Sequence, residues 1–190
     1  MSQVFVSGHK SPDTDSIAAA LSYSYLKRRL GMDAVAVRAG EINKESRFAL
    51  DYFNLEEPIL VTSVERKNPE DEKQKVILVD HNESKQTIDG MDDAEVLEII
   101  DHHRFGDFES ENPIFILVRP VGCVNTVIYG LYKTNHIKPS REIAGNPMLS
   151  AIISDTVLFR SPTTQKKIKK RRKNWLKLRE WIMRLMVWKC

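Results

Sequence analysis

The sequence predicts an α/β fold in which a parallel β-sheet is flanked by helices on both faces. Two observations lead to this class. Segments with the composition of strands alternate along the chain with segments of helical periodicity. The strand segments are continuous apolar runs rather than alternating ones, which is typical of strands buried on both faces. In such sheets, ligands bind beyond the carboxyl ends of the strands.

The first half of the chain contains three predicted strands and two predicted helices. The first helix is alanine-rich and periodic, begins near Ser16 and stops at Gly31. A second helix is predicted over residues 43–53. The strands are predicted at Val4 to Val6, Ala34 to Val37 and Pro58 to Val61.

The second half opens with a polar stretch, residues 65–75, which predicts a solvated loop. Apolar runs then predict strands at Val76 to Val79, Val96 to Ile100 and Phe115 to Val118. Two further helices are predicted over residues 122–135 and 140–154.

Length and composition limit the domain organisation and the compartment. A chain of 190 residues with 42% hydrophobic content can bury one good core, so we expect one main domain. Its two cysteines, Cys123 and Cys190, are far apart, which indicates a reduced intracellular protein in which Cys123 is an ordinary buried residue. No signal peptide and no run of about 18 apolar residues is found, so we expect a soluble cytoplasmic protein and no membrane partner.

The net charge of +3 conceals a strong asymmetry. Residues 166–190 contain eleven Lys or Arg and one acid, Glu180, whereas residues 1–165 contain eighteen basic and twenty-five acidic residues. The three tryptophans also lie in the last stretch, at Trp175, Trp181 and Trp188. The composition changes abruptly near Gln165, so the two segments need separate explanations.

Histidines and aspartates follow three of the predicted strands. The first strand leads to His9, Asp13 and Asp15, the next to Asp80, and a third to Asp101, His102 and His103. A lone aspartate after a strand is more often a turn or helix cap, and Asp15 could cap the helix that begins near Ser16. In a parallel sheet, however, all these groups meet at one edge, where so many carboxylates would repel one another by several kcal/mol without a cation.

The mixture of imidazole and carboxylate groups suits Mn²⁺, Co²⁺ or Fe²⁺ better than an all-oxygen site for Mg²⁺ or Ca²⁺. The number of groups exceeds what one ion needs. Two ions about 3.5–4 Å apart, sharing a carboxylate and a water, lower the pKa of that water and prepare it to attack phosphorus. The predicted reaction class is therefore phosphoryl transfer.

Five ordered motifs, spread from residue 3 to about residue 164, resemble those of family II inorganic pyrophosphatases in the DHH phosphoesterase superfamily. GHKSPDTDSI, residues 8–17, resembles the GHxxPDxDS opening motif. The later motifs are VILVDHNE (76–83), IIDHHRFGDFE (99–109), RPVGC (119–123) and LSAIISDTVLFRSPT (149–163). The resemblance implies a Rossmann-like DHH domain over residues 1–164 and manganese-dependent hydrolysis of pyrophosphate to two phosphates.

The resemblance also implies roles for individual residues. It makes His9 and Asp13 ligands of one ion, makes Asp15, His102 and Asp155 ligands of the other, and makes Asp80 the bridge. Composition alone would place Asp155 at the end of a helix. His103 is expected to contact the substrate or leaving group, so His103 and Asp80 are the predicted catalytic residues. Two Mn²⁺ per subunit, with Co²⁺ as an alternative, Mg²⁺ with the substrate and a homodimer are implied as well.

Three further residues are not expected to bind metal. His81, in the DHN motif, is more simply explained as a structural histidine. Asp101 is expected to orient the histidines beside it. His136 lies outside every motif and is expected on the surface.

Members of this family have a second domain after the SPT motif, which supplies Lys and Arg side chains to the substrate phosphates, and residues 165–190 do not resemble it. Read literally, they form a basic helix suited to an anionic membrane or nucleic acid. We favour a frameshift as the explanation of this segment. If each codon is read from its third base, with suitable synonymous choices, the same stretch encodes an acidic helix similar to the one that follows the SPT motif in the family. We therefore expect no nucleic-acid partner. An intact reading frame across codons 163–168 would reject this.

Three functions follow from these features. The leading one is a pyrophosphatase that binds metal but, without the second domain, hydrolyses pyrophosphate weakly or not at all. The second is another DHH phosphodiesterase or an exopolyphosphatase, although DHN at residues 80–82 and the SPT segment favour the first. The third is a non-catalytic metal-binding module with a basic tail.

Overall fold

The computed structural model describes residues 3–157 and 160–162. The predicted break near Gln165 and the proposed out-of-frame segment, residues 165–190, lie outside these residues. Among the helices of the described part, none is both long and apolar enough to cross a membrane.

Within residues 3–157, six strands form one sheet in which every neighbouring pair is parallel. They are β1 (Val4–Ser7), β2 (Ala34–Arg38), β3 (Ile59–Leu60), β4 (Lys75–Val79), β5 (Glu95–Asp101) and β6 (Phe115–Val118). The order in the sheet is β3-β2-β1-β4-β5-β6. The α/β class with a parallel sheet is confirmed. Because the chain runs outward from β1 in one direction and from β4 in the other, the topological switch point, where such sheets bind ligands, lies between these two strands.

The described part of the chain contains four α-helices, which lie where helices were predicted. They are α1 (Thr14–Arg29), α2 (Lys44–Phe53), α3 (Val124–Thr134) and α4 (Asn146–Asp155). The predicted helix over residues 140–154 is divided, because a π-helical turn, Arg141–Gly145, precedes α4. In that turn the Gly145 N–H donates to the Ser140 carbonyl, and Pro147 in the first turn of α4 has no N–H of its own.

Helix α1 is buried around most of its circumference, which explains its many small residues. Ala19 and Tyr23 pack with the sheet and with α3, while Ala18 packs with Cys123 and with Ala151 of α4. This close packing against α3 and α4 holds the first turn of α1 at the carboxyl edge of the sheet.

The opposite face of the sheet has its own apolar cluster. The segments that cover this cluster differ in kind from the predicted layer of helices. Strand residues Val37, Leu78 and Ile99 pack there against Val64 and Ile88. Among the described residues, the segments that cover this face are loops and two 3-10 helices, Ser84–Gln86 and Met91–Asp93, rather than α-helices. The α-helices pack against one another on the first face.

Candidate metal centre

The seven predicted site residues converge where the carboxyl ends of β1, β4 and β5 meet α1 and α4. Their donor atoms, with those of Asp101, form three groups in which all atoms lie within 4.8 Å of one another. The groups are His9, Asp13 and Asp80; Asp15, His102 and Asp155; and Asp80, Asp101, His102 and His103. The first two of these groups contain the residues that the family resemblance assigned to one ion each, and the assignment of ligands to ions stays a prediction.

Asp80 lies between His9 of the first group and His102 of the second. Its Oδ2 is 3.5 Å from His9 Nε2, and its Oδ1 is 3.1 Å from His102 Nε2. The side chain is 1% exposed, yet Oδ1 lacks a hydrogen bond of good geometry. A buried carboxylate that turns one oxygen to each group has the geometry of a bridging ligand.

The capping roles of Asp13 and Asp15 differ from the prediction. Asp13 caps α1, because its Oδ1 accepts a hydrogen bond from Ser16 N at 2.9 Å. Asp15 lies inside the first turn and accepts from Val124 N at 2.7 Å, at the start of α3. The expectation that Asp15 could cap the helix near Ser16 is therefore wrong, since that helix begins at Thr14.

The two histidines of the DHH motif are oriented by different partners. His102 Nδ1 lies 2.8 Å from the Val121 carbonyl, which can only accept, so Nδ1 carries the proton and Nε2 is left for the site. His103 Nδ1 lies 2.9 Å from Asp101 Oδ1. The expected role of Asp101 thus holds for the ring of His103, whereas a backbone carbonyl orients the ring of His102.

Asp101 is itself held as a charged group. Burial acts to raise its pKa, but hydrogen bonds from His103 and from Asn82 outweigh burial, and the pKa falls below its usual value. The Asn82 amide also donates to the Arg104 carbonyl, and its oxygen accepts from Gly106 N. Asn82 therefore ties the loop after β5 to the loop after β4.

Without a cation, the centre concentrates negative charge and retains protons. Burial and the neighbouring Asp15 raise the pKa of Asp155 to about 10, and the same two causes raise the pKa of Asp80. Burial lowers the pKa of His102, but Asp80, the Val121 carbonyl and Asp15 outweigh it and raise the pKa to about 9. Protons on these groups would therefore compete with a divalent cation for the same donor atoms. The orphaned Asp80 oxygen and the mixed nitrogen and oxygen donors fit a borderline metal such as Mn²⁺.

The residues given lesser roles are placed as follows. His81 is buried, and its Nδ1 lies 3.0 Å from the Val79 carbonyl oxygen. Burial lowers the pKa of His81 to about 4, which agrees with a neutral structural histidine. His136 is on the surface at the end of α3. Cys123 is buried as predicted, but its thiol also donates to Asp15 Oδ1 at 2.9 Å.

Sequence reasoning missed two residues that organise the centre, Asn125 and Glu45. Asn125 donates to the Asp15 carboxylate. Glu45 Oε1 accepts from Thr14 Oγ1 at 2.7 Å and from Ser154 Oγ at 2.6 Å, which ties the end of α4 to the start of α1. No motif or periodicity marks either residue, because each acts on a segment distant in sequence.

A parallel sheet that gathers these histidines and aspartates at its switch point is the architecture of a DHH phosphoesterase. Residues 3–152 match the DHH family, N-terminal domain, and the chain belongs to this family.

Within the family, the curated relatives point to one kind of enzyme. The chain is 50% identical over 163 residues to a protein of Exiguobacterium sp. and 52% identical over 163 residues to one of Bacillus licheniformis. Both are named "probable manganese-dependent inorganic pyrophosphatase". Each alignment covers 86% of this chain and 51% of the relative, so the chain spans about half the length of the curated relatives it matches.

Solved structures agree on the fold. A Methanococcus jannaschii protein assigned to the family II inorganic pyrophosphatases superposes with a TM-score of 0.72 at 38% identity, over 90% of this chain and 55% of that chain. An exopolyphosphatase-related protein from Bacteroides fragilis has a TM-score of 0.62 at 16% identity, over 92% of this chain and 52% of that one. The second likeness shows the fold alone.

Proposed function

We propose that this chain is the metal-binding domain of a manganese-dependent inorganic pyrophosphatase, which hydrolyses pyrophosphate to two phosphates. The observation that carries the proposal is the buried Asp80 carboxylate, which turns one oxygen towards His9 and the other towards His102. The names of the curated relatives supply the substrate. The scarcity of cysteine supports a cytoplasmic location, which cell fractionation would test.

Each half of the centre would hold one Mn²⁺. His9 and Asp13 would bind the first ion, and Asp15, His102 and Asp155 would bind the second. Asp80 would serve both. When bound, such a pair of ions supplies Lewis acidity that neutralises phosphate oxygens and makes water a nucleophile near neutral pH. Co²⁺ satisfies the same donor set, and Mg²⁺ would accompany the substrate.

His103 is suited to handle a proton at the leaving phosphate. Its hydrogen bond to Asp101 raises the pKa of the imidazole and outweighs the effect of burial. The same bond uses Nδ1 and leaves Nε2 available on a side chain that is 52% exposed. His103 can therefore donate a proton to a bound phosphate oxygen without leaving its position.

Two cations that neighbour site residues in sequence, Lys10 and Arg104, form ion pairs with acids. Lys10 Nζ lies 2.5 Å from Asp89 Oδ1, and Arg104 Nη2 lies 2.8 Å from Glu83 Oε1. Each of these two cations would have to leave its acidic partner to neutralise a substrate phosphate. Within the described residues, they would form only a weak phosphate clamp, and we propose that the 190-residue chain hydrolyses pyrophosphate slowly.

The test is phosphate release from pyrophosphate by the purified chain with added Mn²⁺, compared with a version whose reading frame is restored after Thr164. The restored version should be faster by at least about 100-fold, because positioning of the substrate accounts for rate factors of that size. Changing His103 to Gln in the restored version should lower its rate by about 100-fold. Rapid turnover by the 190-residue chain would contradict the expected weakness. Preference for polyphosphate or short oligonucleotides would favour the other DHH hydrolases, and failure to bind Mn²⁺ would reject the metal centre.

We also propose a homodimer that forms through β6. This strand is at one edge of the sheet, and Phe115 and Ile116 on it are 49% and 42% exposed. The other edge is the two-residue strand β3, which offers a shorter ladder. An exposed apolar edge strand favours pairing with another chain. Sedimentation should show a dimer that Ile116→Lys converts to a monomer, while Ile59→Lys on β3 leaves it intact; a dimer that survives Ile116→Lys would contradict this assignment.

A further inference from the structure

Helix α3 begins without a capping side chain of its own. Its N-cap residue, Cys123, makes no side-chain capping hydrogen bond. Instead, Val124 N and Asn125 N donate to the carboxylate of Asp15, at 2.7 and 3.3 Å. Asp15 belongs to α1, so one helix caps the other, and the partial positive charge at the start of α3 faces a buried carboxylate.

The side chain of Asn125 fastens this carboxylate to α3. It is fully buried, and its Nδ2 donates to Asp15 Oδ1 at 2.6 Å and to the Asp15 carbonyl at 3.0 Å. Its Oδ1 accepts from Ser22 Oγ, about two helical turns further along the buried face of α1, at 3.0 Å. Both amide hydrogens and the amide oxygen are therefore engaged with α1, and the side chain has one orientation in which all these bonds form.

These donors distinguish the two oxygens of Asp15. Oδ1 accepts from the Cys123 thiol, from Asn125 N and from Asn125 Nδ2. Oδ2 accepts from Val124 N, and the side chain of Asp155 also forms a hydrogen bond with the Asp15 carboxylate. A carboxylate oxygen has about two lone pairs, so Oδ1 is saturated and Oδ2 retains acceptor capacity. Oδ2 is also the atom that faces His102 Nε2, at 3.6 Å.

We propose that Asn125 is a positioning residue for the second half of the metal centre. By occupying Oδ1, it presents Oδ2 of Asp15 to the cation that Asp15 shares with His102 and Asp155. The inference rests on the proposed function to the extent that a divalent cation binds there. Residues that orient a metal ligand in this way typically contribute about 10–100-fold in affinity.

The experiment is a Mn²⁺ titration of the whole chain, in which the electron paramagnetic resonance signal of free Mn²⁺ reports stoichiometry and affinity. Asn125→Leu removes the amide at similar volume. Tyr132→Phe is the matched control, because the Tyr132 hydroxyl donates to the Ser22 carbonyl at 2.5 Å and so joins α3 to α1 without touching Asp15. The wild type and Tyr132→Phe should bind two ions per chain. Asn125→Leu should bind one ion at wild-type affinity and the other about 10–100-fold more weakly.

Two results would overturn the inference while leaving the proposed function in place. One is unchanged binding of both ions by Asn125→Leu, and the other is equal weakening in Tyr132→Phe, which would show a role in packing alone. If Asn125→Leu fails to fold, Ser22→Ala decides by the same comparison, because it removes only the group that anchors Asn125 Oδ1. A wild-type chain that binds no Mn²⁺ would overturn the proposed function and this inference together.

Discussion

Changing Asp80 to Asn should abolish high-affinity binding of both ions, with losses of more than about 100-fold at each half of the centre. Loss of a residue that only orients a ligand costs about 10–100-fold, and Asp80 would be a direct ligand of both ions. Asn keeps the shape of the side chain and tolerates the left-handed backbone at this position, where φ is 66°. The fold should therefore persist while the shared negative charge is lost.

Two matched variants separate bridging from ordinary loss of charge. Asp13→Asn removes a carboxylate from the first group only and retains the ability to cap α1, so it should weaken one ion. Asp89→Asn removes an exposed carboxylate that pairs with Lys10 outside the groups, and it should bind both ions. Isothermal titration with Mn²⁺ measures all three. If Asp80→Asn kept either ion at wild-type affinity, Asp80 would not be a bridge.

Mn²⁺ should raise the unfolding temperature of the metal-free chain by about 10–20 °C. Binding stabilises the folded state by about 2.7 kcal/mol for each site at a ligand concentration 100 times the Kd. For a chain of this length, 1 kcal/mol corresponds to about 2–4 °C. Two ions therefore produce a shift of this size, and chelation should reverse it.

The stabilisation by Mn²⁺ should grow as the pH rises from 6.5 to 9. The folded state raises the pKa of His102 from 6.5 to about 9 and that of Asp155 from 3.8 to about 10, so in this window it binds more protons than the unfolded chain. The metal-free chain must then lose stability with rising pH, by about 1.4 kcal/mol for each proton and pH unit. The lowered pKa of His81, about 4, acts in the opposite sense only below pH 6.5.

Thermal unfolding at pH 6.5 and at pH 9, each with chelator and with excess Mn²⁺, checks both statements. A metal ion competes with the bound protons, so the difference between the two curves should be larger at pH 9. His102→Asn should make the stability of the metal-free chain less dependent on pH, because it removes one of the groups whose pKa the folded state raises. A metal-free chain that became more stable between these pH values would contradict the assignment.

The sequence predicted the sheet and the edge at which the centre forms, for reasons that are local. Continuous apolar runs such as Val76 to Val79 indicated strands buried on both faces, and each relevant run ended in a histidine or aspartate. Once the strands are parallel, their carboxyl ends must meet, so His9, Asp80 and His102 arrive at one edge without further information. The prediction of the residue that caps α1 was wrong, because the preference for aspartate at a helix N-cap is satisfied by both Asp13 and Asp15. Only Asp13 precedes the first residue of α1.

The sequence by itself predicted the fold class, most of the elements and the histidines and aspartates that the structure brings together at one edge of the sheet. The tertiary structure alone decided how each of them is held: Asp15 by the start of α3, His102 by the Val121 carbonyl and Asp155 through Glu45 and Ser154. The partners of Asp15 on α3 are 108 to 110 residues away along the chain. Periodicity and capping rules extend only over a few neighbouring residues, so they contain no information about contacts that form when α1, α3 and α4 pack together.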